Sequence, residues 1–145
     1  MEFFYNYARR RNGISMTRRE AREKALCLIY EYSYNPEKSP QEILEHASEE
    51  WEDKPSGFVK ELFFGVCSHL DELDGMISAA AENWRIQRIG RVSLSVLRLC
   101  AFELTYMPET GREISINEAL ELTRKYDDEK AVSFVNGVLG KIANK

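Results

Sequence analysis

Between Arg91 and Pro108 the chain carries Val92, Leu94, Val96, Leu97, Leu99, Cys100, Phe102 and Leu104, which leaves almost no polar face on a helix drawn through them. A helix that is apolar nearly all round must be surrounded by others, so this segment is expected at the centre of a bundle, ended by Pro108. No stretch alternates convincingly at period two. The fold class that follows is all-α, with about seven helices.

Capping signals divide the rest. Thr17 and Glu20 have the spacing of a capping box and open a helix to about Tyr34, with Ala21, Ala25, Leu28, Ile29 and Tyr32 as its apolar face. That register puts Arg18, Arg19 and Arg22 on or beside the exposed side. Asn35-Pro36 ends the helix, and Ser39, Pro40 and Glu42 begin a shorter one to about Trp51. After the loop Lys54-Pro55-Ser56-Gly57, a stripe of Phe58, Leu62, Phe63, Val66, Cys67 and Leu70 predicts a strongly apolar helix, and a further helix is expected from Leu73 to Trp84. Ser115 and Glu118 form another box, predicting a helix that starts at Ser115 and buries Ile116, Ala119, Leu120, Thr123 and Tyr126. Asp127-Asp128 supplies N-caps for a last helix whose stripe is Val132, Val135, Val138, Leu139 and Ile142. Asn136-Gly137 lies in its middle, where neither residue favours helix; the reading is that Gly137 admits a neighbouring helix and Asn136 bonds across the gap.

At 145 residues, with 43% hydrophobic and 30% charged residues, the chain suits one soluble domain able to bury a core. No apolar run approaches the roughly 20 residues needed to cross a bilayer and no signal-peptide pattern opens the chain, so a cytoplasmic location with no membrane partner is expected. Residues 1–15, aromatic and basic without helical period, read as a flexible extension or a misassigned start, with the domain proper over 16–145. Cys27, Cys67 and Cys100 sit among apolar neighbours and read as buried free thiols. Without a Cys-x-x-Cys or two histidines four apart, no metal site is predicted. Without a nucleophile elbow, a dinucleotide loop or a phosphate loop, neither a catalytic residue nor a cofactor is predicted, and the chain does not read as an enzyme.

Charge is uneven. Through Lys24 seven basic residues face three acidic ones, a net +4, which leaves −8 for the remainder of a chain whose total is −4. A basic arm on an acidic body is a layout for binding nucleic acid, because lysines and arginines displace counterions from phosphates. Arg18, Arg19 and Arg22 also oppose the helix dipole at the start of their helix, which predicts a compensating anion.

Three segments carry a resemblance: R-R-E-A-R-E-K-A-L from Arg18 to Leu26, V-L-R-L-C-A-F-E-L from Val96 to Leu104, and the pair I-N-E-A-L-E-L from Ile116 and F-V-N-G-V-L from Phe134. In this order and spacing they resemble the NusB family of bacterial transcription antitermination factors, over essentially the whole chain after Met16. The resemblance implies an all-helical fold of two small packed bundles. It implies binding of the boxA element of nascent ribosomal RNA transcripts together with the ribosomal protein NusE, within an RNA polymerase antitermination complex. It also assigns RNA contacts to the arginine-rich start of the first helix, here Arg18, Arg19 and Arg22, and to a phenylalanine of the last helix, here Phe134. Lys130 falls next to that expected surface, at a position that is acidic in one relative, which implies tighter or less selective RNA binding. The position of Phe134 between Val132 and Val135 fits either a core residue or a base-stacking one. A helical adaptor or homodimer without direct RNA binding is the second reading.

Overall fold

The computed structural model describes residues 16–51 and 54–144, so the expectation for residues 1–15 lies outside it. Among the described residues there are seven α-helices and no strand: α1 Arg18–Tyr34, α2 Pro40–Glu50, α3 Gly57–Ser68, α4 Leu70–Ala80, α5 Arg91–Tyr106, α6 Arg112–Tyr126 and α7 Glu129–Ala143. Short 3-10 turns occupy Ile86–Arg88 and Pro108–Thr110. The described residues form two compact units, one ending at Cys67 and the other beginning at Ser68. No described helix is long and apolar enough to cross a membrane.

In the first unit local chemistry sets the helix ends. Thr17 Oγ1 accepts from the Glu20 N–H at 3.2 Å and donates to Glu20 Oε1 at 2.9 Å, so the side chains close on each other at the start of α1. Asn35 ends the helix, its Nδ2 donating to the Glu31 carbonyl at 2.9 Å. The box at α2 is reciprocal: the Glu42 N–H donates to Ser39 Oγ at 3.1 Å and the Ser39 N–H to Glu42 Oε1 at 3.2 Å. Pro40 sits where its missing N–H costs nothing. Two expectations are corrected here. First, α1 is not one-sided: Ala21 through Ile29 are all buried, Arg22, Glu23 and Lys24 included. Second, Ser56 Oγ accepts from the Val59 N–H, and in the resulting register α3 turns Val59, Leu62, Phe63 and Val66 inward. Phe58, expected in that stripe, is only half-buried.

In the second unit α5 packs against α4, α6 and α7, the central position that its apolar circumference predicts. Ten of its sixteen residues are buried, enough to draw in Ser93, Ser95 and Glu103 as well. Ser95 satisfies its hydroxyl by donating to the Arg91 carbonyl at 2.7 Å. Arg98 grips Asp74 of α4 in a two-pronged pair, Nε to Oδ1 at 2.8 Å and Nη2 to Oδ2 at 2.9 Å.

The box expected at Ser115 does not form. Gly111 adopts φ +92°, a conformation that disfavours side chains, and lets the chain turn sharply enough to start α6 three residues early, at Arg112. Ser115 is then inside the helix: its N–H donates to the Gly111 carbonyl, and its own carbonyl accepts from the Cys100 thiol at 3.5 Å. That register buries Ser115, Ala119, Leu122 and Thr123, while Ile116 and Leu120 are half-buried and Ile114 is 55% exposed.

The last helix follows its sequence more closely. Asp128 caps α7, Oδ1 accepting from the Ala131 N–H at 2.8 Å, and all five residues of the predicted stripe are buried. Asn136-Gly137 is the exception. Both residues are exposed, and a Cβ built at Gly137 meets nothing within 4 Å, so no helix crosses there. Loss of the cap is expected to be modest: Asp128→Ala should lower stability by about 1 kcal/mol, read as a shifted urea midpoint at unchanged slope.

Candidate nucleic-acid interface

The first group of cations begins at the N-terminus of α1. The Arg18 guanidinium lies 4.0 Å from the centroid of the Phe58 ring while the residue stays exposed, so its outer edge is open to a ligand. A cation over an aromatic face contributes about 0.5–1 kcal/mol at an exposed site, comparable to the dipole penalty at a helix start. Phe58 therefore supplies much of the compensation that the sequence reading assigned to an anion. Arg19 is exposed. Arg22 departs from expectation: it is 5% exposed, with its guanidinium 5.6 Å from the same Phe58 ring. That leaves Arg18 and Arg19 as the surface cations of the three.

The second group lies on α7. Phe134 is half-buried, and its ring meets the indole of Trp84 with centroids 5.6 Å apart and planes at 67°. Phe134 therefore belongs to neither a closed core nor an open surface. Lys130 is exposed one turn before Phe134, which puts the two on one helix face. Each group is thus assembled within its own unit: Arg18 and Arg22 meet at Phe58, and Lys130 and Phe134 lie beside Trp84.

The sequence reading missed Phe58 and Trp84 as functional candidates. A usable signal was present for Trp84, because from Asn83 to Ser93 an acidic chain has Arg85, Arg88 and Arg91 and not one acidic residue. None existed for Phe58, whose spacing matches an ordinary core stripe. Cys27 and Cys100 are buried as expected, whereas Cys67, on the half-covered side of α3, is only half-buried. Burial, reinforced by Glu23, pushes the Cys27 thiol well above its ordinary pKa, which suppresses the nucleophilic thiolate. Among the described residues no group of three His, Cys, Asp or Glu side chains is arranged to hold a metal ion.

Fold and site together define an all-helical protein that offers exposed cations beside aromatic rings, the furniture of a nucleic-acid surface. The sequence model of the NusB family matches residues 19–144. The transcription antitermination protein NusB of Bacillus pumilus is 43% identical over 129 residues, covering 89% of this chain and 96% of its own length. That of Bacillus subtilis is 42% identical over 127 residues, with 88% and 95% covered. Among solved structures, NusB of T. maritima superposes with a TM-score of 0.82 at 28% identity, covering 91% of this chain and 94% of its own. A chain from a crystal structure of the antitermination factors NusB and NusE in complex with dsRNA gives a TM-score of 0.77 at 29% identity, with 89% and 98% covered. The chain belongs to the NusB family of transcription antitermination proteins.

Proposed function

We propose that the chain serves transcription antitermination without catalysis, by binding boxA RNA of nascent ribosomal RNA transcripts in company with NusE. Arg18 carries this reading: it is exposed, yet held 4.0 Å over Phe58, so a phosphate meets a cation whose position is already set. Arg19 adds a second phosphate contact, and Lys130 a third on α7. Phe134 offers a ring for an unpaired base. Arg22, 5% exposed and 5.6 Å from the same ring, is given a supporting role beside Phe58 in this reading and not an RNA contact. RNA and NusE as partners are supported by the complex in which a structurally similar NusB chain is found. The net −8 of the chain after Lys24 suits a basic ribosomal protein as the second partner.

The test is anisotropy of labelled single-stranded boxA RNA titrated with the chain, with and without NusE, at salt concentrations from roughly 50 to 200 mM. Affinity is expected to fall steeply with salt and to rise when NusE is present. Binding that ignores salt, or no RNA binding by a chain that self-associates, would leave a protein-only adaptor or homodimer as the better account.

A further inference from the structure

We infer that Trp84 is a base-stacking residue, and that the α4–α5 connection carrying it, with Arg85 and Arg88, is part of the RNA surface. The inference rests on the RNA reading above and extends it to residues that reading does not use.

Trp84 is 53% exposed, and a half-exposed indole leaves a large apolar area against water. The ring is nonetheless held in place. Helix α4, expected to continue to Trp84, ends at Ala80, and the chain turns through Glu82 at φ +25°, the one non-glycine residue with positive φ among those described. The Trp84 N–H donates to the Ala81 carbonyl at 2.8 Å and closes the turn. Two side chains then tie the turn to α7. Glu82 pairs with Lys141 at 3.2 Å, and Trp84 meets Phe134 two helical turns earlier. These contacts with Phe134 and Lys141 still leave more than half of Trp84 in solvent, and backbone strain of the kind seen at Glu82 collects at binding sites.

The chemistry around the ring identifies its ligand. Arg85 and Arg88 are both exposed at the two ends of one turn, Arg85 capping the 3-10 segment that Arg88 ends and its carbonyl accepting from the Arg88 N–H at 2.8 Å. Lys130 stands on the Phe134 side. Rings set at 67° cannot sandwich one flat group between them; they form a corner, in which a base lying flat on the indole turns its edge toward Phe134. Cations around an aromatic corner suit a nucleobase with its phosphates, and the base must be unpaired, because a duplex keeps its faces stacked.

The experiment uses the full chain with NusE, single-stranded boxA RNA, and the same strand annealed to its complement. Trp84→Ala is expected to bind the single strand roughly 5- to 150-fold more weakly, with Trp84→Phe between it and wild type and duplex binding unchanged. RNA should also quench the tryptophan fluorescence of wild type, and Trp84→Phe should abolish the quench, because the other tryptophan, Trp51, is only 5% exposed. Wild-type binding without quenching, and with equal affinity in Trp84→Ala, would overturn the inference while leaving the RNA reading intact. Loss of NusE binding by Trp84→Ala in the absence of RNA would make this corner a protein contact instead. Failure of wild type to bind either RNA would remove the RNA reading itself, and the inference with it.

Discussion

Replacing Arg18 and Arg19 together with alanine should weaken binding of single-stranded boxA RNA about a hundredfold or more at low salt, since a hydrogen bond to a charged group contributes roughly 1.5–3 kcal/mol. The same change should flatten the salt dependence. Each phosphate contact on a single strand adds about 0.7 to the slope of log affinity against log salt, so two lost contacts remove about 1.4. Both residues are exposed, and Arg18 gains only a surface cation–π contact in the free protein, so folding stability should hardly change. Arg22→Ala is the internal contrast. Its guanidinium is buried beside Phe58, and its removal should appear first as lost stability, with the salt slope retained. A double variant that binds RNA with an unaltered slope would show that the phosphates lie elsewhere.

Phe63→Ala should be the most damaging single change in the first unit, costing roughly 3–5 kcal/mol. Phe63 is fully buried on α3, with Tyr32 of α1 edge-on to its ring at 6.3 Å and 82° and Phe64 at 5.6 Å. Alanine leaves a cavity and removes both ring contacts, against a total stability of about 5–15 kcal/mol for a domain of ordinary size. Phe58, the platform for Arg18, lies on the same helix, so RNA affinity should fall along with the urea midpoint. A loss below about 1 kcal/mol would mean that the surrounding side chains collapse into the space, contrary to the packing described.

Much of the architecture was legible in the residues alone. The caps at Thr17, Ser39 and Asp128 and the stops at Asn35 and Pro108 act through groups three or four positions away, so their effect does not wait for the rest of the molecule. The central place of α5 was equally readable, because a helix without a polar face has nowhere else to go. Of the candidate site, the types of residue were legible and their surroundings were not.

Where a second element intervened, local rules gave way. Ser115 and Glu118 have the spacing of a capping box, but Gly111 and the contact of Cys100 with the Ser115 carbonyl set the register of α6. Arg22 has the spacing of a surface cation, yet the fold buries it with Phe58, far along the chain, among its neighbours. Gly137 has the look of a crossing point, yet a side chain added there would meet open space. Sequence by itself determined that the chain is all-helical, where most helices begin and end, and that cations gather at the start of α1, because these depend on neighbours within a turn or two. Only the tertiary structure decided which arginine stays at the surface, that Phe134 shares its place with Trp84, and which way α3 and α6 face, because those outcomes turn on contacts between residues distant in sequence that no local spacing encodes.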